Sequence, residues 1–332
     1  KDQFKLGLNR SCFTMNISSN FSQISPTAAV PTRAIILIVA KSFMLFVLNI
    51  AAFVGNLLVC VAVYRNPSLR TVTNNFIVSL ALTELLASTT AMPFFVISTL
   101  MNRWIAGEIV SQIIFCCMVT TSETSTLTVM MLTINRYFRV VRPALYGKIY
   151  SKKNSALMSI AAWIVALPVA VSFLVVRAHE ENGRFIPSID NFTHFSSKLS
   201  LIYFATVSGL LFGIPSLVIS ICYLKIYQTI RYHNNAAAPS SQAGHSPYGV
   251  EEARITRLLT AVVVGFYLCL CPRYIIIILK ILKMLPTDVT RYNFIVFIGI
   301  IPSFISSVIN PVVYGVMNPS FRSEFVKVVL CR

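Results

Sequence analysis

Seven apolar runs constrain what this chain can fold into. They cover residues 36–64, 72–100, 105–138, 151–176, 199–231, 251–284 and 292–317. A helix rises about 1.5 Å per residue, so each run can cross roughly 30 Å of hydrocarbon. The expected fold is all-α, a bundle of seven transmembrane helices, because a spanning helix satisfies its own backbone where water is absent. A short stretch at 319–329 follows. It carries Phe321, Phe325, Val328 and Val329 on one face and Arg322 and Lys327 elsewhere. That pattern predicts an amphipathic helix lying on the membrane surface.

Composition fits that environment. Charged residues make up 12% of the chain and hydrophobic residues 56%, about half the charge of a soluble domain. The net charge of +17 would suit nucleic acid, but its distribution argues against that partner. Lys and Arg fall in short clusters between apolar runs, and no nucleic-acid motif accompanies them. The loops after the first, third and fifth runs hold Arg65, Arg70, Arg139, Arg142, Lys148, Lys152, Lys153, Arg231, Arg254 and Arg257. The positive-inside rule makes those loops cytoplasmic, and an odd number of spans then puts the N-terminus outside. Four sequons, at Asn9, Asn16, Asn20 and Asn191, fall on the same outer side as glycosylation candidates. No cleavable signal peptide is expected ahead of the first run. Residues 233–249, small, polar and Pro-containing, are expected to be disordered, as is the N-terminal segment.

Six of the eight cysteines lie inside apolar runs, and Cys12 and Cys331 lie outside them. Neither a disulfide framework nor a metal site follows from that spacing. No catalytic triad or phosphate-binding loop is present, so an enzyme is the least supported reading. The absence of an internal repeat weakens a transporter reading.

Polar residues inside membrane helices are costly, so their positions are informative. The runs carry Gly55-Asn56, Ser79-Leu80-Ala81 with Glu84, Asn135-Arg136-Tyr137, Trp163, Pro215 with Tyr223, Phe266 with Cys269-Leu270-Cys271-Pro272, and Asn310-Pro311-Val312-Val313-Tyr314. Taken in order, this set resembles rhodopsin-like (class A) G-protein-coupled receptors across nearly the whole span region. The local likeness is greatest to melatonin receptors, which also carry Asn-Arg-Tyr. The loop from Leu145 through Tyr146, Lys148 and Tyr150 to Ser155, and the stretch from Gly55 to Asn66, add to it. Within this resemblance the chain divides into an extracellular segment at 1–35, a receptor domain at 36–317, and a surface helix and tail at 318–332.

The resemblance implies a heterotrimeric G protein, of the inhibitory class, as partner. It implies a charge switch in which Arg136 is held at rest by Glu252, twenty residues before Pro272, and released when span six swings out. Asn135 departs from the usual acid. An amide offers weaker bonds than a carboxylate, so the resting state should lean more on Glu252. Tyr223 and Tyr314 are the candidates to meet through water in the active state. Glu84, Ser125, Ser307 and Asn310 match the family's sodium-binding cluster, with Glu84 longer than the usual Asp. Either a sodium or proton switch or a structural hydrogen-bond hub fits there. Pro215, Phe266 and Pro272 match the hinge, while Leu270 stands where relatives carry a toggle Trp.

The ligand side departs further. Arg273 follows Pro272, and its guanidinium either pairs with Glu123 or receives an anionic ligand group. Met118, Ser122, Phe212, Tyr274 and Ile277 are its expected pocket neighbours. Met118 stands where amine receptors carry their Asp, and Phe304 where an opsin attaches retinal, so neither an amine held that way nor a retinal cofactor is implied. Phe173 stands near the melatonin-contacting Asn. Ser111 replaces the Cys of the outer-loop disulfide, and 177–198 holds no partner Cys. Cys331 is a lipidation candidate. The expected function is a ligand-activated receptor in the plasma membrane. A constitutively active or non-signalling relative and a membrane transporter are the alternatives.

Overall fold

The structure is a computed structural model that describes residues 32–180, 198–236, 250–282, 284 and 289–330. Some side chains within these helices, including those of Glu252 and Ile277, lie outside the description, as do Asn9, Asn16, Asn20, Asn191 and Cys331. The described residues form α1 (Thr32–Arg65), α2 (Val72–Thr89), α3 (Ala91–Leu100), α4 (Glu108–Val141), α5 (Pro143–Ile149), α6 (Lys152–Glu180), α7 (Lys198–Ala236), α8 (Val250–Ile281), α9 (Val289–Met317) and α10 (Pro319–Val329). Among them are seven candidate membrane spans and no strand.

The second span is the one that breaks. The sequence predicts one helix over 72–100, but α2 stops at Thr89 and α3 restarts at Ala91. Pro93 has no amide hydrogen to give the Thr89 carbonyl, which loosens the helix there. Pro168, Pro215, Pro272, Pro302 and Pro311 all sit inside continuous helices. The short α5 has no counterpart among the sequence expectations; Pro143 at its first turn is the local signal for it.

Polarity is turned inward. Leu57, Ile160, Ile164, Leu224 and Leu268 are exposed on the outside, while Asn56, Thr83, Thr124 and Thr128 are fully buried. Several buried hydroxyls satisfy themselves on their own helix: Thr83 donates to the Ser79 carbonyl at 2.8 Å and Thr133 to the Val129 carbonyl at 2.9 Å. Such back-bonding suits a lipid solvent, where no water competes. At the centre, α4 packs against α2, α6 and α7, and α9 bridges α8 and α1.

The α1–α9 crossing depends on a missing side chain. A Cβ on Gly55 would lie 2.7 Å from Pro311 Cγ, in a ring that cannot swing aside. Gly55→Ala is therefore expected to destabilise the bundle by roughly 1–3 kcal/mol through overpacking. A lowered melting temperature of the detergent-purified protein would show it; an unchanged one would mean that α1 slides freely over α9.

At the end of α9 the chain turns into α10, capped by Asn318, whose side chain accepts from the Ser320 amide at 3.0 Å. Phe321 is fully buried against Tyr314, with ring centroids 5.8 Å apart. Phe325 packs on the same core. Val329 is exposed toward the edge of the predicted face, and Glu324 is buried on the other side of Phe321. Eight residues along a helix leave Val329 about 80° round from Phe321. Glu324 accepts from Lys327 Nζ at 2.8 Å and from Asn66 Nδ2 at 3.1 Å. The Lys327 ammonium, with Asn66 adding, holds the Glu324 carboxyl below the usual range.

Candidate functional site

One end of the bundle gathers the Asn-Arg-Tyr residues into a hydrogen-bonded chain. Asn135 and Arg136 are buried on α4. Arg136 Nη2 donates to Thr73 Oγ1 on α2 at 2.6 Å, and Thr73 donates onward to Asn135 Oδ1 at 3.1 Å. Asn135 Nδ2 then donates to the Tyr146 hydroxyl on α5 at 3.3 Å. Tyr146 stacks on Tyr150 at 5.1 Å, and the Arg139 guanidinium lies 5.0 Å from the Tyr146 ring centre. Tyr137 meets Phe138 edge-on. This arrangement ties α2, α4 and α5 together through an amide, which can both accept and donate where a carboxylate could only accept.

The other switch candidates lie on α8, α7 and α9. Glu252 lies in the first turn of α8, with its side chain outside the described residues. Tyr223 lines a cleft of about 570 Å³ between α7 and α8, beside Thr256, Thr260 and Tyr267. Tyr314 is buried against Phe321.

Midway along the bundle, Glu84 is buried with both carboxylate oxygens engaged. Ser125 Oγ donates to Oε1 at 3.0 Å and Ser307 Oγ to Oε2 at 2.5 Å. Asn56 Nδ2 donates to the Ser307 carbonyl at 2.9 Å, fastening α1 to the same point. Asn310 is buried nearby in sequence, and its Nδ2 has no protein acceptor. The structure thus brings three of the four predicted cluster residues into direct contact. A carboxylate with two hydroxyls is a hard oxygen set of the kind that suits a small hard cation.

Beyond Glu84 a cavity of about 160 Å³ opens among α2, α3, α4, α7, α8 and α9. Met118, Ser122, Arg273 and Phe266 line it, together with Met92, Phe95, Phe115, Phe204, Leu270, Ile276 and Phe304. Arg273 Nη1 donates to Ser122 Oγ at 3.4 Å.

Of the two alternatives for Arg273, the direct ion pair with Glu123 is not formed, although their charges lie close enough to interact. Glu123 follows Ser122 on α4, so with Ser122 facing the cavity Glu123 points about 100° away. Phe212 and Tyr274 do not line the cavity either. They stack on each other with ring centroids 3.9 Å apart, across the α7–α8 contact. Tyr274 is turned from Arg273 by the same 100° or so.

The turn leading into α4, packed on the cavity residue Phe95 through Trp104, is held by hydrogen bonds. Ser111, fully buried, accepts from Trp104 Nε1 at 2.7 Å and donates to the Ala106 carbonyl at 3.1 Å. Trp104 meets Phe95 edge-on at 5.8 Å. The six described cysteines are all free. Phe173 is buried against Phe204 and Tyr203.

Residues 55–314 match the family described as 7 transmembrane receptor (rhodopsin family). The chain belongs to that family: it is a multi-pass plasma-membrane receptor that signals through G proteins, and it is not an enzyme. Its relatives include the QRFP-like peptide receptor of Branchiostoma floridae, 26% identical over 86% of this chain and 76% of that protein. The allatostatin-A receptor of Bombyx mori is 27% identical over 86% and 78%. The histamine H2 receptor of Canis lupus familiaris is 28% identical over 89% and 80%.

Proposed function

We propose that this receptor takes an extracellular ligand into the cavity bordered by Met118, Ser122 and Arg273 and converts binding into G-protein activation at Arg136. The observation that carries the reading is that one helix, α4, holds both ends: Ser122 and Ser125 line the cavity, and Arg136 closes the hydrogen-bonded chain with Thr73. A shift of α4 or α8 at the cavity is felt at Arg136 through the same rigid elements. The outward movement of α8 hinges near Pro272, with Pro215 and Phe266 as its neighbours, and separates Glu252 from Arg136. The N-terminus is extracellular, with Asn9, Asn16, Asn20 and Asn191 as glycosylation sites, and Cys331 anchors the tail by palmitoylation. The Asn-Arg-Tyr triplet and the loop that follows it support a melatonin-receptor lineage and inhibitory-class coupling. Glu84, Ser125 and Ser307, with Asn310, would hold a sodium ion, which would supply a counter-charge to the carboxylate.

The test is nucleotide exchange on purified G proteins, with the full chain in nanodiscs. Exchange on the inhibitory class, and much less on the stimulatory class, is the expected result. Glu252→Gln should raise ligand-free exchange severalfold, within the roughly 5- to 150-fold range of allosteric coupling. A basal rate that stays low in the variant would remove Glu252 from the resting state. A high rate in wild type and variant alike would favour constitutive activity, the reading that the amide at Asn135 supports.

A further inference from the structure

We infer that the cavity takes a compact lipophilic monocarboxylate, its carboxylate held by Arg273 and Ser122 and its ring or short chain packed against the aromatic wall. The inference rests on the cavity being the receptor's ligand site, and adds the chemical class of the ligand.

Charge comes first. Arg273 borders the cavity, and its one hydrogen bond among the described residues is the long 3.4 Å contact to Ser122. A guanidinium carries five donors, so most of them are left to the cavity. Two acids stand near, and neither accepts a hydrogen bond from it. Glu123 lies close enough for its charge to be felt but makes no ion pair with it, and both oxygens of Glu84 already accept from Ser125 and Ser307. A charge in an apolar enclosure needs an anionic partner with good geometry, and a carboxylate matches the planar fork.

Size and lining come next. The volume of about 160 Å³ is close to that of an apolar cavity of roughly 150 Å³ that holds benzene. It is well below the roughly 300–1,000 Å³ of drug-sized sites. Phe95, Phe115, Phe204 and Phe304 supply flat apolar faces. A body about the size of one aromatic ring, bearing one carboxylate, satisfies both the volume and the guanidinium. A second negative charge would have no partner, and an ammonium would meet Arg273 with like charge.

The test is thermal stability of the detergent-purified full chain with 3-phenylpropanoate, 4-phenylbutanoate and indole-3-acetate. The near-isosteric 3-phenylpropanamide and 3-phenylpropylamine are the controls. At least one acid should raise the melting temperature saturably, and the amide and amine should not. Arg273→Gln should weaken the acid by roughly ten- to hundredfold, the value of bonds to a charged group. Arg273→Lys should retain part of the binding, and Ser122→Ala should lose a few-fold, so the inference does not depend on one variant folding. Acid and amide acting alike, equal binding by Arg273→Gln, or no response of a cooperatively melting wild type at millimolar acid would each overturn it. Nucleotide exchange in the same preparation keeps the two readings apart. Exchange without acid binding removes this ligand class and leaves the receptor; saturable acid binding without exchange does the reverse.

Discussion

Arg136→Ala is expected to lower G-protein activation by about 5- to 150-fold, the span of a typical allosteric coupling, with surface expression close to wild type. The guanidinium is buried on α4 and hydrogen-bonded to Thr73, so its loss removes the charge that the proposed switch passes to the G protein. Thr73 keeps Asn135 as an acceptor, and Asn135 keeps Tyr146, so the local fold has a fallback. Arg136→Lys should not restore activity, because an ammonium lacks the planar fork. Nucleotide exchange, normalised to receptor counted by an N-terminal epitope, is the measurement. Exchange at the wild-type rate would reduce Arg136 to an interfacial anchor.

Glu84→Ala is expected to lower stability by about 2–4 kcal/mol, because removing an acceptor leaves buried hydroxyls unmet at about 1–3 kcal/mol each. Ser307 has an alternative in the Ser303 carbonyl at 3.3 Å, so the larger share falls on Ser125. Glu84→Gln retains an acceptor and should lose less. Melting curves of the purified protein give both numbers. The same curves in sodium chloride against choline chloride address the cation. A wild-type rise in sodium that Glu84→Ala abolishes supports a sodium site, and identical curves leave a hydrogen-bond hub. A Glu84→Ala protein as stable as wild type would remove even the hub.

The seven spans could be read from the chain because hydrocarbon thickness sets a minimum apolar length, and each run exceeded it, whereas helix ends such as Thr32 and Ala236 run past the apolar stretch and could not. The break at Thr90 could have been read as well, since Pro93 sits about one turn past it inside the expected span. The partners of Asn135 and Arg136 could not. Thr73 and Tyr146 are ordinary residues, and only the crossing of α2 over α4 and the presence of α5 bring their hydroxyls within reach. The same limit applies at Arg273. Its charge and depth follow from its place after Pro272, but whether Glu123 meets it depends on a rotation of α4 of about 100°. Phe212 and Tyr274 fail as cavity residues for that reason, while Met92, Phe95 and Ile276 line the cavity through packing that no local pattern announces.

Ser111 has one more consequence. Its bonds to Trp104 and Ala106 hold the turn leading into α4 with groups that neither gain nor lose electrons. Receptors stapled there by a cystine depend on an oxidising surrounding to stay closed. This turn does not. Thiol reductants that would open a cystine at this position leave the Trp104–Ser111 contact intact, so the Trp104–Phe95 packing behind the cavity wall keeps its shape across redox conditions.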